Sequence, residues 1–190
     1  MKVGFGIAHY PKRHGASYGN YNEHDESVVW TMMTVAALKA AGLDTVVGPI
    51  GSLRPKVTAL NKEKCDLVIE IHFNSVAGGG ASGSETLYYP GSKNGKEAAL
   101  IMQKHLSVAM QNPDRGAKEG WYKMDRPGVI DFYGDEEGDE MPDYFLRKTN
   151  CPALILEPEF IQQYGHIKNS RKVGTDAIAA AAIEVLSNWK

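Results

Sequence analysis

Asp66-Leu67-Val68-Ile69-Glu70-Ile71-His72-Phe73-Asn74 decides the fold class. Its aliphatic residues, Leu67, Val68, Ile69 and Ile71, do not alternate with polar ones, which predicts a short strand covered on both faces, as in a parallel sheet. The strand ends on an imidazole and an amide, and in open α/β sheets ligands collect at the carboxyl edge of the strands. Val3-Gly4-Phe5-Gly6-Ile7-Ala8 reads as a second such strand, running into His9 and a turn-rich loop. Pro152-Ala153-Leu154-Ile155-Leu156-Glu157 reads as a third, stopped by Pro158. Three strand ends can therefore direct polar groups to one place.

Between these strands the hydrophobic period changes to that of helices. Asn22 to Ala41 predicts a helix with an inward stripe of Val28, Met32, Val35 and Ala36, widened by Val29 and Met33 and closed by Gly42. Asp44 to Gly48 reads as a strand, and Leu53 to Lys62 as a helix packing through Leu53, Val57 and Leu60. The flexible loop of Gly78, Gly79, Gly80, Ser82 and Gly83 leads into a strand over Ser84 to Tyr89. Lys96 to Gln111 predicts an amphipathic helix with Ala99, Met102, Leu106 and Met110 inward and His105 beside them, a structural histidine. Thr175 to Trp189 closes the chain as a helix packing through Ile178, Ala182, Val185 and Leu186. The expectation is a single α/β domain over residues 1–190, with a central mixed, mostly parallel twisted sheet flanked by helices on both faces. Pro113 to Asn150 has no long period; an acidic insertion at about 125–146 contains Gly134-Asp135-Glu136-Glu137-Gly138-Asp139-Glu140, whose spacing is not that of an EF-hand and which reads as a solvated loop over the groove.

Composition bounds the function. The chain has 190 residues, 43% of them hydrophobic, and a formal charge of -2, so it can bury one core and carries no basic field to recommend nucleic acid as a partner. Cys65 and Cys151 lack a Cys-x-x-Cys spacing and read as reduced core thiols. Met1-Lys2-Val3-Gly4 enters the first strand without the three regions of a secretion signal, and no apolar run reaches membrane-spanning length. A soluble monomer made in the cytoplasm is expected.

Catalytic zinc requires three protein ligands of the His or carboxylate type, one open position, and a carboxylate to handle the proton of the bound water. His9 and His72 at two strand ends, Glu23 in the first turn of the first helix, and Glu157 at a third strand end supply that set. His14 and His24 compete with His9 for the first position, and composition does not choose among them. Glu70, two residues before His72 on the same side of the strand, either orients an imidazole or is satisfied by a neighbouring base.

With these residues in view the sequence resembles the zinc-dependent N-acetylmuramoyl-L-alanine amidases of cell-wall turnover and phage lysis, along nearly the whole chain. Ile7-Ala8-His9 matches the family's strand ending in His; Asn22-Glu23-His24-Asp25 matches its Glu at the head of a helix; Ile71-His72-Phe73-Asn74 matches its Ile-His-x-Asn strand. Gly83-Ser84-Glu85, Arg115-Gly116-Ala117-Lys118 and Pro152-Ala153-Leu154-Ile155-Leu156-Glu157 are similar to three further segments. The chain departs where Glu159, in place of a Gly, precedes Phe160, and where Ala8 and Tyr10-Pro11 flank His9.

The resemblance implies one zinc ion held by His9, Glu23 and His72, Glu157 as general base and then acid, and Asn74 and Arg115 as substrate contacts. The implied substrate is peptidoglycan, cut at the amide between N-acetylmuramic acid and L-alanine, by an endolysin of phage or prophage origin that reaches the wall after release. Two other readings compete: a glycosidase using Glu157 with Glu159 or Glu70 as its carboxylate pair, and a zinc-containing wall-binding module without turnover.

Overall fold

The computed structural model describes residues 1–123 and 140–189. In chain order the elements are β1 (Lys2–Ile7), a hairpin of β2 (Ser17–Tyr18) and β3 (Tyr21–Asn22), α1 (Glu23–Ala40), β4 (Asp44–Val47), α2 (Leu53–Lys62), β5 (Leu67–Ile71) and β6 (Ser84–Tyr88). There follow α3 (Lys93–Met110), β7 (Asp114–Glu119), β8 (Trp121–Lys123), β9 (Glu140–Pro142), α4 (Tyr144–Lys148), β10 (Ala153–Glu157), a 3-10 turn at Ile161–Gln163, and α5 (Tyr164–Asn188).

The main sheet has six strands in the order β4-β1-β5-β10-β6-β7, parallel throughout except where β10 meets β6. This is the mixed, mostly parallel sheet expected. The continuous aliphatic run of β5 is what such a position demands: Leu67, Val68, Ile69 and Ile71 are all 0% exposed, and burying each contributes about 1.5–3 kcal/mol. Odd positions of β5 join Val3, Phe5, Leu154 and Leu156 in the larger core beneath α1, α3 and α5. Val68 faces the other way, into a smaller core with Val57 and Leu60 of α2 and Phe145 and Leu146 of α4. On that second face β1 presents Gly4 and Gly6, and a Cβ on Gly6 would stand 2.9 Å from both Glu70 and Phe145. The two glycines let α2 lie close against β1.

Several expected boundaries and faces are corrected. α1 buries Ser27, Trp30, Thr31, Thr34, Val35 and Leu38, whereas Met32 is 51% exposed and Ala36 also faces solvent. Its inner face is polar and aromatic because it meets both the sheet and α5, so a purely aliphatic stripe misjudged its rotation. α3 begins at Lys93, where the Ser92 hydroxyl accepts from the Gly95 N–H. α5 begins at Tyr164 and not at Thr175; its first half is largely polar and turns inward through Ile167, Ser170, Gly174 and Thr175, with Gly174 lying under the Trp30 ring. Asp114–Glu119 is a strand that sequence periodicity does not reveal, because it is a charged sheet edge with no apolar face to alternate.

Cys65 and Cys151 are unpaired thiols of the smaller core, and burial pushes the Cys151 thiol up to about 12. Among the described residues no helix is long and apolar enough to cross a membrane. Most of the acidic insertion expected at about 125–146, including the run from Gly134 to Asp139, lies outside the described residues.

Candidate metal centre and its surroundings

Strand register assembles the site. Ile7 of β1 pairs with Ile71 of β5, and Ile71 with Leu156 of β10, so three adjacent parallel strands leave the sheet at one height. The residues that follow are Ala8-His9, His72 and Glu157. The His72 N–H continues the ladder to the Leu156 carbonyl at 2.8 Å, which fixes where its ring begins. His9 turns the chain at φ 57°, a left-handed conformation uncommon for residues other than glycine.

Glu23 enters from above as the first residue of α1. Asn22 caps that helix by accepting from the Asp25 N–H at 2.9 Å, which leaves the Glu23 carboxylate free to turn away from the helix end. It is 5% exposed and accepts from the backbone N–H groups of Ala16 (2.9 Å) and Phe73 (3.2 Å). Its Oε1 lies 2.8 Å from His72 Nδ1 and its Oε2 2.9 Å from His9 Nε2. On the far side of the same ring, His72 Nε2 lies 3.1 Å from Glu70 Oε2.

One imidazole is thus held between two carboxylates. Burial alone would depress the His72 pKa, but hydrogen bonds to Glu23 and Glu70 outweigh it and raise it well above the ordinary value. Burial alone would raise Glu23, yet the hydrogen bonds from His72 and His9 hold it far below the usual carboxylate range. Glu70 follows the same balance: burial opposes ionisation, and His72 with Lys56 pulls the carboxyl down to about 2.

The donor set fits a divalent cation. His9, Glu23 and His72 offer donor atoms all within 4.8 Å of one another, and two imidazoles with a carboxylate are a three-ligand set typical of open zinc sites. Neutral His72 has a single N–H for two facing carboxylates, so one of its two contacts sets acceptor against acceptor unless a proton or metal ion intervenes. Gly15 completes the cradle. At φ 73° it crosses so near that a Cβ there would stand 2.3 Å from Glu23 Oε2 and 2.4 Å from the His9 ring.

Glu157 flanks this group across a cavity of about 490 Å³, also lined by Tyr10, Arg13 and Trp121. Its Oε2 is buried without a hydrogen-bond partner among the described residues. Burial raises the carboxyl, and although His72 opposes the rise, the negative charges of Glu23 and Glu85 add to it, giving about 8. A cation between His9, Glu23 and His72 would reverse that balance and favour the carboxylate.

The remaining expectations sort by geometry. His9 is the histidine beside Glu23, whereas His14 is exposed and His24 is buried with Nδ1 3.0 Å from the Ala8 carbonyl. Glu70 lies beside both His72 Nε2, at 3.1 Å, and Lys56 Nζ, at 2.5 Å, so both of the partners left open by the sequence are present. Asn74 and Arg115 are tied to a residue that sequence reasoning gave no role, Glu85, which accepts from Asn74 Nδ2 at 2.7 Å, Arg115 Nε at 3.0 Å and Lys118 Nζ at 2.5 Å. The Gly83-Ser84-Glu85 segment was the available signal. Arg115 also lies over the Phe160 ring at 4.8 Å.

Glu159 cannot partner Glu157 in glycosidic chemistry. It is 0% exposed, and its carboxylate accepts from Ser82 Oγ, Asn112 Nδ2, His166 Nδ1 and the N–H groups of Gly83 and Phe160. It anchors the Gly-rich loop to the end of β10. His105 bonds Glu184 on α5 at 2.7 Å, a structural role as expected.

Solved structures with the same architecture are amidase catalytic domains. An N-acetylmuramoyl-L-alanine amidase from Clostridium difficile 630 is 20% identical with a TM-score of 0.81, matching 100% of this chain and 98% of its own. The catalytic domain of CwlV, an amidase from Bacillus (Paenibacillus) polymyxa var. colistinus, is 21% identical with a TM-score of 0.80 over 98% of each chain. The catalytic domain of the CD27L endolysin, which targets Clostridia difficile, is 24% identical with a TM-score of 0.69, over 99% of this chain and 97% of that one. No curated protein is significantly similar in sequence. The sequence pattern of the N-acetylmuramoyl-L-alanine amidases matches residues 6–187, nearly the whole length of a chain whose strand ends converge as described. The chain therefore belongs to the N-acetylmuramoyl-L-alanine amidase family, whose members hydrolyse the peptide stem from peptidoglycan.

Proposed function

We propose that this amidase is zinc-dependent, with His9, Glu23 and His72 as the metal ligands and Glu157 as the proton-transfer group. The observation that carries the reading is the convergence of three donors on one point beside a carboxyl whose buried Oε2 has no partner among the described residues. When bound, zinc supplies a Lewis acid and lowers the pKa of a coordinated water to about 7.

The chain's own residues supply the rest. Glu157, ionised beside the cation, takes a proton from the attacking water and returns it to the leaving L-alanine nitrogen. Glu23 spans both imidazoles and so keeps them in register. Glu85 holds Asn74 and Arg115 in place, and to these two we assign contact with the polar stem and glycan of the substrate. The cavity beside Trp121 and Leu53 gives the substrate an apolar wall.

The setting we infer is lysis: a phage or prophage endolysin acting as a monomer on the cell wall after release from the cytoplasm, a reading supported by the similarity to an endolysin catalytic domain. Digestion of purified peptidoglycan, read by mass spectrometry, tests the chemistry. Stem peptides bearing free L-alanine amines, abolished by chelator, restored by zinc and absent with Glu157→Ala, are expected. New reducing ends, or turnover indifferent to chelator, would overturn it.

A further inference from the structure

Lys56 is an unusual residue to find 1% exposed, and its surroundings explain where its charge goes. It projects from α2 across the second face of the sheet, where Nζ meets Glu70 Oε1 at 2.5 Å and donates to the Ile7 carbonyl. Ile7 is two residues before His9, and Glu70 is two residues before His72. One buried ammonium therefore joins the ends of the two strands that deliver the imidazoles. Glu70 spends its second oxygen on His72, at 3.1 Å from Nε2. The space for this arrangement is built in, since a Cβ on Gly6 would fall 2.9 Å from Glu70 Oε1 and 3.1 Å from Lys56 Cδ.

We propose that the buried Lys56–Glu70 pair is a positioning device for His72: Glu70 accepts the Nε2–H, which leaves Nδ1 as the unprotonated nitrogen aimed at Glu23, while Lys56 holds the Glu70 carboxylate in place. A neutral imidazole has one N–H, so whichever nitrogen a carboxylate holds by its proton leaves the other as the ligand. Carboxylates behind metal-bound histidines orient the ring and raise its basicity, and their loss typically weakens metal binding 10–100-fold. This inference rests on the metal reading above, and concerns how the chain sets the nitrogen used.

The test measures zinc affinity by competition with a chromophoric chelator and the visible absorption of the cobalt-substituted protein. In Lys56→Met/Glu70→Leu the pair becomes apolar groups of similar size, an exchange that folds commonly tolerate; about 10–100-fold weaker zinc binding and an altered cobalt spectrum are expected. Lys56→Met/Glu70→Gln keeps a carbonyl to accept the Nε2–H and should recover most of the affinity. Wild-type affinity and spectrum in a folded Lys56→Met/Glu70→Leu protein would overturn the proposal. A measurement on the unaltered protein stands apart from any folding defect: long-range proton–nitrogen correlation of the zinc-loaded chain should show His72 protonated at Nε2, and a proton at Nδ1 would refute the assignment. If the wild type binds no zinc at all, the metal reading falls and takes this inference with it.

Discussion

Replacing Glu157 with Gln should stabilise the metal-free protein, and by an amount that grows with pH. The native carboxyl titrates at about 8 against an ordinary 4.5, raised first by burial. Between those values the unfolded chain has released its proton and the native chain still holds it, so native stability falls as pH rises. Each pH unit within the window costs about 1.4 kcal/mol, which from pH 5 to 7.5 sets a ceiling of roughly 3.4 kcal/mol. Water admitted through the open groove reduces this, and a gap of about 1–3 kcal/mol is expected, or roughly 3–10 °C in melting temperature for a chain of this size.

Thermal melts of chelated wild type and Glu157→Gln from pH 4.5 to 8.5 read the gap directly. The raised His72 pKa acts with the same sign, contributing stability below its unfolded value that is lost as pH climbs through the folded one, but it is common to both proteins. The lowered Glu23 and Glu70 act oppositely, losing their contribution only as pH drops below the ordinary carboxylate range. The difference between the melts therefore isolates Glu157: near zero at pH 4.5, widening through pH 7.5, and closing when zinc is added. A gap that stays flat across the series would refute the assignment of Glu157 as the desolvated carboxyl of this site.

Four further outcomes follow from particular contacts. Zinc binding at pH 7 should release about two protons, from His72 and Glu157, measured by calorimetry in buffers of differing ionisation heat; release of none would contradict their raised pKa values. Gly15→Ala meets both a left-handed φ of 73° and a Cβ position 2.3 Å from Glu23 Oε2, so it should cost about 1–2 kcal/mol and weaken zinc binding, read by denaturant titration and chelator competition. Glu159→Gln turns one acceptor edge into a donor facing donors, and a loss of about 3 kcal/mol with faster proteolysis of the Gly78–Gly83 loop is expected. Gly174→Ala drives a methyl to 2.4 Å from the Trp30 ring, for which a loss of about 1–3 kcal/mol in chemical denaturation is expected, with no change in zinc affinity.

What the sequence revealed and concealed has a physical division. The strands of β1, β5 and β10 were legible because each is covered on both faces and must be aliphatic, and their terminal His9, His72 and Glu157 were legible because nothing apolar explains them. Which histidine of the first loop joins Glu23 was not legible, since that depends on a left-handed turn at His9 and a close pass at Gly15, set by tertiary contacts. The rotation of α1 was misjudged because its buried face carries Ser27, Thr31 and Thr34, whose burial follows from their neighbours and not from their hydrophobicity. Lys56 escaped notice for the same reason: in sequence it is one of many lysines in a helix, and only the fold puts its ammonium under the site.

The charges around the site explain why these features belong together. Among the described residues the carboxylates Glu23, Glu70, Asp143 and Glu157 surround or line the site, against the cations Arg13 and Lys56. Formally two negative charges remain, and the histidines contribute none when neutral. A buried group cannot stay so unbalanced, because desolvation penalises every uncompensated ion. Among these groups the pKa values of His72, Glu157 and Asp143 rise, so protons on them offset the imbalance. A divalent cation held by His9, Glu23 and His72 would offset the same excess, freeing His72 to ligate and Glu157 to accept a proton. Binding the ion and arming the base would then be one event, and Lys56, paired with Glu70 at 2.5 Å, would keep that carboxylate from competing for the ion.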